Sequence, residues 1–369
     1  MTQGQLQKAL QPQPTRHCSP PLRRRTRPVR VGSVTIGGEA PISVQSMWKE
    51  PLRSAELPAA VQRITCLQAV GCELLRFSVP DLEAAELLGA LASRVQLPVV
   101  ADIHFDYRLA LRCLDFPVAK IRINPGNIGQ SWKVAELVRK AADRGVPMRI
   151  GVNSGSLPRS LAGEKDVAAA MVKAAEEELS ILSRFGYGQV VFSLKSPQVE
   201  TTVEANRLFS ASHDYPLHLG VTEAGPLVQG IVKNTLALSR LLAEGVGDTV
   251  RVSLSDTPEN EVAAAWAILQ GLEIRREGAE IVSCPTCGRT EFDVRGFLAK
   301  ADGLLKALRK SVTIAVMGCP VNGPGEARRA DLGITGSGRQ VLFFKNGRII
   351  RRVTADDAIE TLREELERL

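Results

Sequence analysis

Eight short runs rich in Val, Ile and Leu recur between about residues 40 and 272, and segments of helical pattern separate them. The runs are ISVQSM (42–47), LLRFSV (74–79), PVVADI (98–103), KIRINP (120–125), MRIGVN (148–153), VVFSLK (190–195), LHLGVT (217–222) and TVRVSL (249–254). A strand that is apolar on both faces has to be covered on both faces, as in a parallel sheet flanked by helices. The intervening segments, such as 81–95, 130–145, 165–186 and 229–245, are rich in Ala, Leu and Glu. Gly71, Gly145, Gly186 and Gly245 stand where such helices would stop. Eight βα units predict a (β/α)8 TIM barrel, with a doubly wound open sheet as the alternative. The count of eight and a span of roughly 230 residues favour the barrel, whose usual size is about 250. No G-x-G-x-x-G follows the first run, so nothing supports a dinucleotide fold.

A smaller α+β unit is predicted from about 280 onward. It opens on the turn SCPTCGRTEF and continues with a helix (296–310), a strand (312–317) and the motif GCPVNGPGEA (318–327). A Gly-rich loop (333–338) follows. QVLFFKNGRIIRRV (340–353) reads as a hairpin turning at Asn-Gly. A closing helix (355–369) has Thr354 or Asp356 as candidate caps.

Barrel active sites form at the C-terminal ends of the strands. Here those ends carry Arg76, Asp102 and His104, Arg122 and Asn124, Arg149 and Asn153, Lys195, Thr222 and Glu223, and Arg251 and Ser253. A buried strand has no packing reason to include Arg or Lys, and an unpaired buried cation is costly. Any one of these could be an ion pair at a strand end, but five on successive strands point to one site. Glu223, Asp102 and Asp106 are the only acids in these segments. The excess of cations fits an anionic ligand of more than one charge, such as a phosphate or diphosphate gripped by Arg forks. The turns at 124–127 and 153–156 add backbone N–H donors. His104 fits a substrate contact or a proton donor.

Cys284 and Cys287 form a C-x-x-C turn, and Cys319 lies in Gly-Cys-Pro. A structural zinc site wants four Cys or His ligands. Here the four His all precede residue 280, so the unit offers three soft ligands. A thioredoxin motif would want a βαβ context that is absent. Three thiolates suit a [4Fe–4S] cluster with one iron left open or held by oxygen. Glu326 is the nearest oxygen ligand by sequence, with an ordinary loop carboxylate as the alternative. Cys18 lies in the N-terminal segment; Cys66, Cys72 and Cys113 fall in apolar stretches and read as buried small hydrophobes.

The net charge of +7 suggests a nucleic-acid binder, but its location argues otherwise. Lys8, Arg16, Arg23, Arg24, Arg25, Arg27 and Arg30 account for the whole excess, and residues 1–38 hold no acid. That segment reads as a solvated basic tail, with a transit peptide as the weaker alternative because Ser is scarce. Aromatics at 4% weigh against base stacking. No run approaches the roughly eighteen apolar residues of a membrane span.

Taken together, PISVQSM, ADIHFDYRLAL, RINPGNIG, RIGVNSGSL, PLHLGVTEAG, GVGDTVRVSL, CPTCGR, EFDV and VNGPGEA resemble the bacterial 4-hydroxy-3-methylbut-2-enyl diphosphate synthase family. The resemblance runs from about Arg24 to the last helix. It implies a substrate-binding barrel (23–275) and an iron–sulfur unit (276–369), preceded by the Pro- and Gln-rich basic arm (1–22), which its composition predicts to be disordered and which has no counterpart in the family. It implies reductive ring opening and dehydration of 2-C-methyl-D-erythritol 2,4-cyclodiphosphate in isoprenoid synthesis by the methylerythritol phosphate pathway. Ferredoxin or flavodoxin would supply the electrons, in the cytoplasm.

Position by position, the resemblance makes Cys284, Cys287, Cys319 and Glu326 the ligands of a [4Fe–4S] cluster. It places Arg76, His104, Arg122, Asn124, Arg149, Asn153, Lys195, Arg251 and Ser253 on the substrate. Glu223 matches the acid/base carboxylate, with Thr222 and Asn322 beside the open iron. It also implies a homodimer in which one barrel meets the partner's cluster unit, and neither nucleic acid nor membrane as partner. The chain departs from the family pattern at Trp48, Lys49 and Glu50, where Thr-Asn-Thr is usual, and it lacks the inserted domain of plant and apicomplexan forms.

Overall fold

The computed structural model describes residues 23–104, 106–161, 163–288, 290–319, 330–337, 340–346 and 348–369. The segment 1–22 lies outside these, together with the disorder expected of it, as do Asn322 and Glu326. The described chain begins with a two-stranded hairpin, β1 (Val29–Val31) and β2 (Val34–Ile36). Its Val29, Val31 and Ile36 are fully buried against Leu74 and Val191. Those two residues stand at the starts of barrel strands, so the hairpin plugs the underside of the barrel.

The barrel strands are β3 (Ser43–Met47), β4 (Leu74–Ser78), β5 (Val99–Asp102), β6 (Lys120–Ile123), β7 (Met148–Asn153), β8 (Val190–Lys195), β9 (His218–Leu219) and β10 (Thr249–Val250). They pair in the order β8-β7-β6-β5-β4-β3-β10-β9, all parallel. A parallel bridge from Phe192 to Leu217 closes the ring. Around it lie α1 (Leu57–Ala69), α2 (Leu82–Ala92), α3 (Tyr107–Cys113), the single turn α4 (Pro125–Ile128), α5 (Ser131–Arg144), α6 (Val167–Ser183), α7 (Val199–Ser212), α8 (Leu227–Ala243) and α9 (Pro258–Gly271). Asp81, Asp106, Asp166 and Thr257 cap α2, α3, α6 and α9 by accepting a backbone N–H. Each such cap contributes about 1 kcal/mol. Gly145 ends α5 at φ +62°, the left-handed conformation its position suggested.

Two expected strands are shorter than their apolar runs. The runs 217–222 and 249–254 give only two ladder residues each. Helix side chains take over the backbone groups the ladder releases. Asn234 Oδ1 accepts from Val221 N at 3.0 Å, and Glu261 Oε1 accepts from Leu254 N at 3.0 Å. The chain thereby leaves the barrel early and turns its polar residues into the mouth. Three of the arm's cations make contacts with the barrel, Arg23 and Arg24 half-buried, whereas Arg25, Arg27 and Arg30 are exposed as a solvated arm predicts. Arg23 pairs with Asp248 at 2.9 Å and Arg27 with Asp214 at 2.7 Å, while Arg24 donates to Tyr215 O at 2.7 Å.

The second unit is a five-stranded sheet, ordered β11 (Ala279–Ser283), β12 (Val312–Met317), β13 (Leu332–Ser337), β14 (Gln340–Lys345) and β15 (Arg348–Thr354). The first three are parallel and the last two turn back as a hairpin. Helices α10 (Val294–Ala307) and α11 (Ala358–Glu367) cover it. Val294, Phe297, Ile314, Val316, Ile334, Phe343 and Leu362 form its core. Strand β11 was not anticipated. The supposed Gly-rich loop 333–338 is the strand β13. Its Gly336 is needed because a Cβ there would stand 2.3 Å from Phe292 Cβ, so the glycine marks a close approach rather than a turn. The expected cap of the last helix differs too. Asp357 holds the N-cap position, and Thr354 Oγ1 bonds its carboxylate at 2.6 Å.

The two units join on the underside of the barrel. Trp266 of α9 donates to Gly71 O at 3.0 Å, and the guanidinium carbons of Arg275 and Arg309 lie 4.4 and 4.6 Å from its ring centroid. Glu277 bonds Arg309 at 3.3 Å. Gly71 follows α1 and precedes β4, so this junction lies at the end of the barrel away from the mouth.

Candidate active site

Register sets the mouth. Asp102 of β5 pairs across to Arg122 of β6, and Arg122 pairs across to Arg149 of β7, so three neighbouring strands bring one acid and two cations side by side. Arg76, two residues before the end of β4, points the same way. Asp102 is 3.5 Å from Arg76 Nε and 3.4 Å from Arg122 Nη1, with His104 Nε2 at 3.6 Å. Arg122 Nη1 also meets His104 Nδ1 at 2.8 Å and Nη2 donates to Gly151 O at 3.2 Å. Asn124 Oδ1 accepts from Gly151 N at 3.3 Å. Burial works against the charge on Asp102, yet Arg76, His104 and Arg122 together hold its carboxyl well below the usual range.

On the other side of the mouth a second carboxylate does the same work. Glu261 of α9 is fully buried and takes Arg251 in a fork at 3.2 and 2.8 Å. It also accepts from Lys49 Nζ at 2.7 Å and Ser46 Oγ at 2.8 Å. The family departure at 48–50 is thus a built feature. Lys49 adds a cation to the Glu261 cluster, Trp48 stacks on Phe77 at 5.6 Å, and Glu50 pairs with Arg63 at 2.8 Å.

Arg149 and Lys195 have no such partner among the described residues. Arg149 is 3% exposed, and its Nε and Nη1 make no hydrogen bond among the described residues. Burial, with Arg76 and Arg122 beside it, pushes its guanidinium well below the ordinary arginine value. Burial likewise pushes Lys195 well down, with Arg149 and Arg251 adding to it. Arg76 is pushed down to about 10 by burial, which Asp102 only partly offsets. Deeper still, fully buried Lys120 reaches Gln45 Oε1 only at 3.5 Å. His218 is fully buried, and neither of its ring nitrogens has a hydrogen-bond partner among the described residues. Burial and the neighbouring cations hold each of these two side chains well below its ordinary value.

Cations therefore outnumber the buried acids Asp102 and Glu261 throughout the barrel interior. An arrangement of this kind is electrostatically unfavourable when empty and is relieved by a multiply charged anion. Sequence reasoning passed over Lys120 and His218, although the rule applied to the arginines covers both. Glu261 was missed because a helix acid carries no such signal, and Lys49 stood out only as a departure from the family pattern. Asp106, counted among the mouth acids, instead caps α3 and holds Arg108 at 2.7 Å.

Thr222 and Glu223 follow β9. Glu223 is exposed at the mouth with φ +49°. The left-handed conformation costs a non-glycine residue about 1 kcal/mol or more, and such residues concentrate at functional sites. Asn153 ends β7 opposite Lys195, and Ser253 is buried beyond β10. The turns at 124–127 and 153–156 each open a short helical turn, α4 and Ser154–Ser156.

The cysteines lie at the C-terminal ends of two adjacent strands. Cys284 follows β11 and donates its N–H to Val316 O of β12 at 3.0 Å. Cys319 follows β12 and is 7% exposed. The loop between is tied by Thr286 N to Cys284 Sγ at 3.4 Å, Cys287 N to Thr290 Oγ1 at 2.9 Å and Glu291 N to Gly318 O at 2.8 Å. Thr286, inside the C-x-x-C turn, has φ +66°. Cys284 and Cys319 are free thiols. Among the described residues no three His, Cys, Asp or Glu side chains stand together as they would round one metal ion. A cluster differs from a single ion in that each thiolate holds a different iron and the sulfurs stand farther apart. Three cysteines at one sheet end, the Sγ of Cys284 already accepting a backbone N–H, fit that donor set. Of the other cysteines, Cys72 and Cys113 are buried, their thiols pushed up to about 12 by burial. Cys66 is exposed, contrary to expectation, because its turn of α1 faces solvent.

A closed (β/α)8 barrel with an anion-seeking mouth, followed by a thiol-bearing α+β unit, defines a two-domain barrel oxidoreductase. The model of the GcpE TIM-barrel domain matches residues 26–266, and that of the GcpE protein C-terminal domain matches 280–368. The chain belongs to the GcpE family. It is 53% identical over 339 residues to a 4-hydroxy-3-methylbut-2-en-1-yl diphosphate synthase (flavodoxin) of Treponema pallidum, covering 89% of this chain and 84% of that one. It is 46% identical to the enzyme so named in Thermodesulfovibrio yellowstonii, covering 93% of this chain and 99% of that one. With that of Geobacter sulfurreducens it shares 47%, covering 94% and 99%.

Proposed function

We propose that this chain catalyses the reductive ring opening of 2-C-methyl-D-erythritol 2,4-cyclodiphosphate, with loss of water, to (E)-4-hydroxy-3-methylbut-2-enyl diphosphate. This is a step of isoprenoid synthesis by the methylerythritol phosphate pathway. The names of the relatives support the reaction. The observation that carries it is the buried, underpaired cation cluster, which asks for a compact ligand of two negative charges.

In this reading Arg149 and Lys195 grip the diphosphate most directly, since they have no carboxylate of their own. Arg76 and Arg122, steadied by Asp102, and Arg251, steadied by Glu261, complete the ring of donors. Asn124, Asn153, Ser253 and His104 supply hydrogen bonds at the rim. Glu223, held in a strained conformation at the mouth, moves the proton that lets the leaving oxygen depart as water. Thr222 precedes it in the chain, and by the family resemblance Thr222 and Asn322 would serve the open iron. Water is held off by the closed barrel below and by whatever covers the mouth above.

Cys284, Cys287 and Cys319 would hold a [4Fe–4S] cluster, with Glu326 on the fourth iron. When bound, the cluster supplies electrons one at a time and an open iron for a substrate oxygen. Flavodoxin is the donor named for the relatives. No helix of the described residues is long and apolar enough to cross a membrane. Free thiols and an iron–sulfur site favour the reducing cytoplasm.

The cysteine unit is anchored on the underside of its own barrel, so a second copy is the natural source of the cysteines that reach the mouth. The rim is suited to that. Leu82, Trp132, Val167, Leu227 and Val228 open the helices that surround the mouth, and they are 37–73% exposed. The direct test is turnover. Protein purified without oxygen should, with dithionite and methyl viologen, convert the cyclic diphosphate to a linear one by 31P NMR. Persistence of the cyclic signal under those conditions would overturn the reading.

A further inference from the structure

Electrons have to enter near the cysteines, and one cavity of the second unit lies against their loops. It encloses about 330 Å³ and is lined by Phe292, Phe297, Lys300 and Gln340, with the carboxylates Glu291 and Asp293 also in its wall. The wall nearest the cysteines is the segment 290–292. Thr290 N donates to Cys287 O at 2.9 Å, and Glu291 N donates to Gly318 O at 2.8 Å, one residue before Cys319. Phe292 then presses on the β13 backbone at Gly336 and meets Phe297 with ring centroids 5.4 Å apart. Two backbone hydrogen bonds therefore fix an aromatic pair beside the loops of Cys287 and Cys319. No substrate role is assigned to any of these residues. The cavity belongs to the cysteine unit and not to the barrel mouth.

We infer that this cavity is where the electron donor docks, with the apolar edge of its flavin ring against Phe292. The inference rests on the function proposed above and extends it by naming the donor's surface. The occupant follows from three observations. The relatives are named for a flavodoxin, whose redox group is a planar aromatic ring. The cavity is partly apolar, contains an aromatic pair and is open to solvent through Lys300 and Gln340, both exposed. It adjoins both cysteine-bearing loops. The electron count sets the traffic. Each reduced flavin gives up one electron per encounter, so two encounters serve one turnover. Two electrons and two protons, counted on the fully protonated species, release one substrate oxygen as water and open the ring.

The test compares reductants on the full-length, cluster-loaded protein. Lys300→Glu and Phe292→Leu are assayed with reduced flavodoxin and, separately, with dithionite. The expected result is a fall of about tenfold or more in flavodoxin-driven rate at limiting donor, with dithionite-driven rate within about twofold of the unaltered protein. Titration of oxidised flavodoxin against each variant, followed by flavin fluorescence, reads docking without turnover and should show the same weakening. Equal flavodoxin response in variants and unaltered protein would overturn the inference. So would a parallel loss with both reductants, or a change in oligomeric state that accounts for the loss. Absence of dithionite-driven turnover in the unaltered protein would instead count against the proposed reaction, while the flavodoxin titration would still decide the docking site.

Discussion

Arg251 is forked onto the buried carboxylate of Glu261, at 3.2 and 2.8 Å, and the same carboxylate holds Lys49 at 2.7 Å. One helix acid thus fixes two cations at the barrel mouth. Removing its charge leaves both unpaired. Glu261→Gln should cost about 3 kcal/mol in urea unfolding, in the range for breaking a buried pair. A loss below about 1 kcal/mol would mean that Glu261 is not the anchor.

Arg149 should behave in the opposite way. Its free Nε and Nη1 contribute little to the empty protein and a great deal to a bound anion. Arg149→Met should leave unfolding stability unchanged or slightly raised, because it removes an uncompensated buried charge. It should lower kcat/KM by about 100-fold, or ~2.7 kcal/mol of transition-state stabilisation. Loss of stability with kcat/KM intact would reverse the assignment.

The ligand-free protein should also become more stable as pH rises from 7 to 9. Burial depresses the folded-state values of Lys120 and Lys195, so the unfolded chain binds more protons than the folded one in this window. Stability then increases with pH up to the ordinary lysine value near 10.4 and declines as pH falls. The rise should be about 1 kcal/mol or more by urea titration, and smaller in Lys120→Met. A flat profile, or the same slope in the variant, would show that these lysines are charged in the fold.

Glu223 carries the proton in this account. Glu223→Gln should keep cyclodiphosphate binding and the iron content, and lose turnover by at least about 100-fold. Unchanged turnover would remove Glu223 from the mechanism and leave its φ of +49° without a functional explanation.

Much of this molecule is legible in its sequence, and the gaps have physical causes. Runs such as VVFSLK and MRIGVN announce their strands because a doubly covered strand must be apolar, and both match β8 and β7 residue for residue. LHLGVT and TVRVSL promise more strand than they deliver, because Asn234 and Glu261 release the backbone from the ladder. GITGSG (333–338) reads as a loop because glycine is scarce in strands. Only the approach of Phe292 explains why Gly336 is there. The arginines of the mouth stand out against their apolar neighbours. Glu261 looks like any helix acid until the fold turns it inward beneath Arg251.

In the proposed function, three cysteines carry a cluster that serves the anion bound in the mouth. Electron paramagnetic resonance of the reduced protein, purified without oxygen and assayed for iron and sulfide, tests it most directly. The account predicts about four irons and four sulfides per chain, as the [4Fe–4S] stoichiometry requires. It also predicts a spectrum that shifts when the cyclodiphosphate is added, and loss of that signal in Cys319→Ser. Zinc in place of iron, or a spectrum indifferent to the cyclodiphosphate, would contradict it.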